Sequence, residues 1–340
     1  MDSKKINVLH ITPMYPSVER PAFGSFVKTQ IDSLQNIVNI ELLILPGLGG
    51  VLPYLMSIPR IFKSFKGQYD IIHIHYGNAS SLIKMLYHGS IPIVTSYCGD
   101  DLQGAKKDNG DYYLKSILFK KINIYFSMRD TYSIVKSELL AHQIKENANK
   151  IEIIPNGINM SKFKSVEKKI AREKLGIPLD AGVVILFPAD PNRPSKNFSF
   201  LKKVLLRFDG KFKYTILTFK EGKVDPEFVP YYYYASDIVA FPSLSEGSPN
   251  AIKEAMACNS IIFSSDCGDV SWLLSGVNGS KVLPLQTGEW VQAFHEYFRG
   301  KISRPISNSR EILIKKELDV DSIANRISKL YLKILSENSY

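Results

Sequence analysis

DIVAFPSLSEGSPNAIKEAMACNSIIFSSDCGDV, residues 237 to 270, reads as a buried strand, a polar loop, a helix and a second buried strand. DIVAF and SIIFS are short apolar runs of the kind that a parallel sheet buries on both faces. Between them, Ser248 suits an N-cap and Pro249 a first helical residue. A helix opening there leaves the amides near Asn250 and Ala251 free, beyond Gly247, where orphan N–H groups and the helix dipole favour a phosphate. Glu246 precedes this start and Glu254 lies between one and two turns inside it, so both can approach a ligand at the helix N-terminus. From spacing alone, Glu254 reads equally as a solvated helix residue.

Working outward, the same grammar repeats. VVILFP at 183–188 and YTILTF at 214–219 precede the segment; INVLHIT at 6–12, NIELLIL at 39–45, DIIHIH at 70–75 and IPIVTS at 91–96 form an earlier series, followed by apolar runs at 122–127 and 132–135. Short β-branched runs alternating with helix-period segments predict an α/β protein with parallel sheets. KIEIIPNGIN, with Pro155 and the Asn156-Gly157 turn, separates the series. The fold expected is two tandem Rossmann-like doubly wound domains facing a central cleft, 1–157 and 158–318. A C-terminal docking helix over 319–340 follows, its stripe Ile323, Ile327, Leu330 and Ile334 facing a core. Ligands in such folds sit beyond the strand carboxyl ends, which directs attention to the loops after Thr12, Ser96, Pro188 and Phe241.

A chain of 340 residues exceeds what one core organises, in keeping with two domains. With 45% hydrophobic and 22% charged residues it is ordinary globular material. The net charge of +10, spread over both halves, suits anionic partners such as diphosphates or acidic lipid headgroups and falls short of a nucleic-acid footprint. Cys98, Cys258 and Cys267 are odd in number and lack zinc-site spacing, so free thiols and a cytoplasmic setting are expected. No apolar run is long enough to span a membrane. VLPYLMSIPRIFKSFK at 51–66 combines Leu52, Leu55, Ile58, Ile61, Phe62 and Phe65 with Arg60, Lys63 and Lys66; it reads as an interfacial helix on an anionic membrane surface or as a core-packing helix, kinked at Pro59.

In PADPNRPSKNF, after the strand at 183–188, Arg193 and Lys196 can offer a bidentate fork and a point charge to one diphosphate. Gly24 and Ser25 open a helix with Val27, Ile31 and Leu34 on one face, either as a second anion site or around a plain turn glycine. Asn156 and Gly157 read as a hinge turn. His73 and His75 share one strand face but are too few for a metal site; His75, near the strand end, is a candidate for the acceptor pocket, and His73 for the core. Asp100 and Asp101 bind substrate hydroxyls or cap the next helix. Tyr231 to Tyr234 pack or flank a helix. PGLGGVL at 46–52 carries Leu52 where a dinucleotide fingerprint needs its third glycine, which disfavours a dehydrogenase. The only Asp-x-Asp triplet, Asp319 to Asp321, opens the terminal helix and is explained by capping.

EGSPNAIKEA resembles the signature of the family-4 retaining glycosyltransferases of the GT-B fold: a Glu, seven residues, then Glu followed by Ala. The resemblance extends through YPSVERPAFGSFVKTQ, DIIHIHYG, VTSYCGDDL, IIPNGIN, PADPNRPSKNF, ASDIVAFPS and SSDCGDV. It implies that Glu254 binds the ribose hydroxyls of a nucleotide, that Glu246 lies by the transferred sugar, that Lys196 and Arg193 neutralise the leaving diphosphate, and that Gly24 lets backbone approach the donor phosphate. The family's usual Gly-Arg is Pro-Ala here, so Lys196 carries over more closely than Arg193. Cys98 stands where many members have a histidine that contacts the donor sugar. The expected activity is transfer of a sugar from a nucleotide-diphosphate sugar, as co-substrate, to a hydroxyl of a glycan or lipid-linked acceptor. Neither metal nor cofactor is expected to be needed, and the resemblance implies same-face attack in which the leaving phosphate helps to deprotonate the acceptor. Alternatives are an epimerase or phosphorylase on the same scaffold, or a non-catalytic carbohydrate-binding protein. The glycine-containing base-binding stretch of many members is not found between Phe219 and Asp237.

Overall fold

A computed structural model describes residues 5–46, 51–107, 110–178, 180–219, 224–300 and 307–338. Most of the glycine cluster at 46–52 therefore lies outside the described residues. The first sheet contains β1 (Asn7–Thr12), β2 (Asn39–Ile44), β3 (Ile71–His75), β4 (Ile93–Ser96), β5 (Tyr132–Val135) and β6 (Ile151–Ile153), in the order β2-β1-β3-β4-β5-β6. The second contains β7 (Val183–Phe187), β8 (Tyr214–Thr218), β9 (Ile238–Phe241), β10 (Ile261–Ser265) and β11 (Lys281–Leu283), in the order β11-β10-β9-β7-β8. Every pairing in both sheets is parallel. This is the doubly wound α/β architecture that the repeated strand grammar implied. In each sheet the strand order reverses beside its first strand, β1 or β7, which opens a ligand crevice at the carboxyl ends.

The central strands are apolar without alternation because helices cover both faces: all of β3, β4, β9 and β10 is buried. Edge strand β2 alternates instead. INIYFS at 122–127 is the end of the helix Leu114–Ser127, not a strand. Its buried polar residues Asn123 and Ser127 are four apart and face the same side. The stretch at 51–66 forms two helices, Val51–Met56 and Ile58–Ser64, broken at Ser57. Pro59 sits in the first turn of the second, where its missing N–H costs no ladder bond. Ile61 is buried and Phe65 packs edge-on against Tyr87 at 4.9 Å, so these two belong to the core and not to an interfacial face.

The chain crosses between domains twice. Ile158 N–H donates to the Leu318 carbonyl at 2.8 Å, and Val320 N–H returns to the Ile158 carbonyl at 3.1 Å. A Cβ on Gly157 would lie 2.8 Å from Val320 Cα, so the two crossings touch only because residue 157 has no side chain. The returning helix Val320–Glu337 is capped by Asp319, whose carboxylate accepts from Ser322 N–H at 2.8 Å. Its Ile323, Ile327, Leu330 and Ile334 join Val8, Ile71 and Val94 in the first domain's core. Tyr331, one turn along, hydrogen-bonds His73 Nδ1 at 2.5 Å.

Candidate active site

The two sheets present their carboxyl ends to each other, and the loops after β4 and β9 touch. Burial of Tyr97, whose hydroxyl donates to Asp130 at 3.0 Å, anchors the first loop. Asp130 also pairs with Lys84, both side chains being fully buried; removing either partner would cost about 3–5 kcal/mol. Next, the Asp101 carboxylate accepts the N–H groups of Cys98, Gly99 and Gly77 at 2.7 to 3.1 Å. Asp101, buried and inside the helix Asp100–Gln103, thus ties backbone N–H groups of its own turn and of Gly77 together, while Gly99 occupies the capping position. Asp100 projects toward the opposite domain, where partial withdrawal from water and the charge of Glu246 raise its carboxyl, opposed by Arg193 and Lys196.

The facing loop, 242–249, carries Glu246, which pairs with Lys196. Lys196 ends the turn Pro194–Lys196 after β7 and lies 5.2 Å from the centre of the Phe241 ring. Leu244 N–H, donating to the Ser195 carbonyl at 2.8 Å, ties the two loops together. Arg193 remains exposed at the edge of this group. Gly247 packs against the first domain: a Cβ there would lie 2.6 Å from the Cys98 carbonyl oxygen. Gln103 clasps the loop from the other side, accepting from Ser245 Oγ at 2.6 Å and donating to the Glu246 carbonyl at 3.0 Å.

The helix after this loop is Asn250–Ala257. It corrects the expected cap: Pro249, in an extended conformation, is the capping position, and Ser248 is used elsewhere. Ser248 Oγ donates to Asp269 at 2.7 Å and accepts from Lys253 Nζ at 3.1 Å. The hydroxyl is drawn off the helix end because Lys253 is fully buried and must satisfy its ammonium, which it completes by donating to the Asn156 carbonyl at 2.9 Å. Burial pushes the Lys253 amine down to about 8. The bond from Lys253 N–H to the Pro249 carbonyl, 3.4 Å, belongs to the first turn, so the amides of Asn250 and Ala251 precede the helix ladder. Glu254 accepts from the Tyr233 hydroxyl at 2.8 Å, and burial raises its carboxyl above the usual range.

Other expected residues fall differently. Gly24 has φ +70° and opens the helix Ser25–Leu34; a Cβ there would lie 2.3 Å from the Met14 backbone carbon, so the chain itself demands glycine. His75 is enclosed in the first domain, its Nε2 3.0 Å from His10 Nδ1 and its ring stacked 4.4 Å from His73. These three histidines cluster closely, yet both nitrogens of His73 engage Tyr331 and Ser96. Cys98 turns its thiol to the Ser96 carbonyl at 3.7 Å, and burial raises that thiol. None of the three cysteines is joined in a disulfide. No described helix is long and apolar enough to cross a membrane.

A cavity of about 240 Å³ lies between the domains beside Glu246. Gln103, Lys106, Tyr112, Lys120 and Gln143 line the first-domain wall, and Ser245, Asp266 and Cys267 join Glu246 opposite. Sequence reading missed these first-domain residues, together with Tyr233 and Lys253; Tyr233 carried a faint signal as part of the four-tyrosine run, and the others none.

Residues 2–162 match the family described as Glycosyltransferase Family 4, and residues 213–299 match Glycosyl transferases group 1. The chain is 24% identical to TuaC of Bacillus subtilis (strain 168), assigned as a glycosyltransferase of teichuronic acid biosynthesis, over 88% of this chain and 91% of that one. It is 25% identical to the D-inositol 3-phosphate glycosyltransferase of Mycobacterium leprae, over 72% of this chain and 64% of the relative. Among solved structures, sucrose-phosphate synthase from Thermosynechococcus elongatus superposes with a TM-score of 0.73 at 16% identity, covering 98% of this chain and all of that one. Anabaena HepE in complex with UDP and glucose gives 0.69 at 16% identity, covering 96% and 99%. The protein is a glycosyltransferase of the GT-B type.

Proposed function

We propose that the protein moves a sugar from a nucleotide-diphosphate sugar to an acceptor hydroxyl with retention of anomeric configuration. The observation that carries this reading is the convergence in one cleft of the Lys196–Glu246 pair and the helix bearing Glu254. Glu254, with one oxygen taken by Tyr233, accepts the ribose hydroxyls. Asn250 and Ala251 offer backbone amides to the diphosphate, Ser248 and Gly247 shape the loop ahead of them, and Lys196 with Arg193 neutralises the charge that grows as the anomeric bond breaks. Glu246 faces the transferred sugar. In this reading Asp100, near Glu246, and the Cys98 backbone, against Gly247, stand on the sugar side, and Gly24 lets backbone approach the donor phosphate. The acceptor oxygen attacks the anomeric carbon on the face the diphosphate leaves, and a departing phosphate oxygen takes the acceptor proton. Fixed cations and a helix terminus supply the electrostatics, so divalent metal is not required. HepE's complex with UDP and the TuaC likeness support a nucleotide donor and a role in surface polysaccharide synthesis.

The test is a thermal-shift screen of nucleoside diphosphates and their sugars, because a ligand that binds only the folded state raises stability by RT ln(1 + [L]/Kd). Transfer from the matching donor is then followed by NMR of the new anomeric centre, with and without chelator. Donor binding without turnover would indicate a binding protein; an inverted product or chelator-abolished activity would overturn the mechanism.

A further inference from the structure

The cavity beside Glu246 has an uneven charge. On its first-domain wall, Lys106 lies opposite Tyr112 across an isolated backbone bridge, its ammonium 5.6 Å from the ring centre and 3.4 Å from the Leu244 carbonyl. Lys120, on the helix Leu114–Ser127, donates to Gln143 Oε1 at 2.9 Å. Both ammoniums thus rest on neutral acceptors, and among the described residues neither pairs with a carboxylate. On the opposite wall the charge of Glu246 is met by Lys196, and Asp266 accepts from Ser271 Oγ at 2.7 Å. Arg193, Lys196, Asn250, Ala251 and Glu254 do not line the cavity, which meets the donor side of the cleft at Glu246.

We infer that this cavity is the acceptor subsite and that it selects an acidic saccharide, one carrying a carboxylate or phosphate. At about 240 Å³ it is smaller than the roughly 300–1,000 Å³ of pockets for larger ligands and suits a single sugar ring. An anionic substituent sits between Lys106 and Lys120, whose point charges do not demand one fixed geometry. Tyr112 holds Lys106 in place, and Gln103, Gln143 and Ser245 offer hydroxyl partners. The ring's far side then brings a hydroxyl toward Glu246, where the donor sugar is expected. Two lysines with only neutral partners at a concave wall retain most of their attraction for an anion, since neither charge is already spent on a carboxylate.

This inference rests on the glycosyltransferase reading of the cleft, and its test separates the two. Methyl glucuronoside, glucose 6-phosphate and methyl glucoside are titrated against the full-length protein, alone and with the nucleoside diphosphate that most raises its melting temperature. At least one acidic probe is expected to bind about tenfold more tightly than methyl glucoside, equivalent to about 1.4 kcal/mol, and to lose that advantage in high salt. The glucuronoside arm identifies a carboxylate acceptor and the glucose 6-phosphate arm a phosphorylated one. Lys106→Met/Lys120→Met should abolish the preference while keeping nucleotide affinity, which also reports that the variant is folded; Lys106→Arg/Lys120→Arg should preserve it. Equal binding of all three probes, no binding of any, or a preference that survives the double methionine variant overturns the acidic subsite. A missing response to every nucleotide sinks the donor assignment instead, and the probe comparison is still read without nucleotide.

Discussion

Glu254 occupies an environment that penalises its own charge. Burial raises its carboxyl, the Tyr233 hydroxyl lowers it, and Lys162 and Lys253 lower it further. If its carboxylate accepts ribose hydroxyls, nucleotide affinity is strongest when it is ionised and falls as pH drops through the raised value, above the ordinary 4.5. The stability linkage has the opposite sense: the folded state keeps this proton longer than the unfolded chain, so the residue's contribution declines as pH rises across that window. Glu254→Gln should weaken nucleotide binding by about 1–3 kcal/mol near neutral pH and flatten its dependence at the acidic end. Calorimetric titration at two pH values checks both, and unchanged affinity would remove Glu254 from the nucleotide site.

At the scale of elements, the loop 242–249 works because it has no side chain at Gly247. An added Cβ would meet the Cys98 carbonyl at 2.6 Å and Gly99 Cα at 3.1 Å, so Gly247→Ala must push the loops after β4 and β9 apart. Turnover should fall by about a hundredfold, the effect of a misplacement near one ångström, while nucleotide affinity stays close to wild type. Steady-state kinetics beside a nucleotide titration distinguishes this from general unfolding. The helices Val51–Met56 and Ile58–Ser64 pose a separate question of contact. Leu52, Met56 and Phe62 are 67%, 73% and 48% exposed, and Arg60, Lys63 and Lys66 flank them. Exposed apolar and basic groups side by side in the sequence of these two helices suit an anionic bilayer. Flotation with anionic liposomes should recover the protein, less so with neutral lipid or with Phe62→Ser, and recovery independent of lipid charge would end the idea.

Over the whole molecule, the terminal helix docks onto the first domain, where its Tyr331 hydrogen-bonds His73 of a histidine cluster that is costly to protonate. Burial lowers His10 to about 3 and holds His73 and His75 well below 6.5. In the unfolded chain each titrates near 6.5, so the unfolded state binds more protons below that value. Stability from the cluster is therefore present in full above about pH 6.5 and is lost as pH falls toward about 3. Urea midpoints measured across this range should decline steeply, and His10→Phe should lessen the slope. A slope identical in the variant would assign acid sensitivity to other groups.

The strands, the paired domains and the terminal helix were legible because each is written in local periodicity: continuous β-branched runs for strands buried on both faces, and a stripe at Ile323, Ile327, Leu330 and Ile334 for the helix. Spacing alone left Glu254 equally a solvated helix residue; it was the resemblance of EGSPNAIKEA to a known signature that singled out Glu246 and Glu254. INIYFS was misleading because a short apolar run fits either period, and only the packing of Asn123 and Ser127 decided it. Tertiary structure alone set the partners. Lys196 and Glu246 are 50 residues apart, and Gln103 meets Glu246 from 143 residues away. The burial of Lys253, which diverts Ser248 from the helix cap, and the two-lysine wall of the cavity also arise only when distant loops converge. A sequence records which residues share a face of their own element; which charges come to face one another is decided by how the two sheets meet.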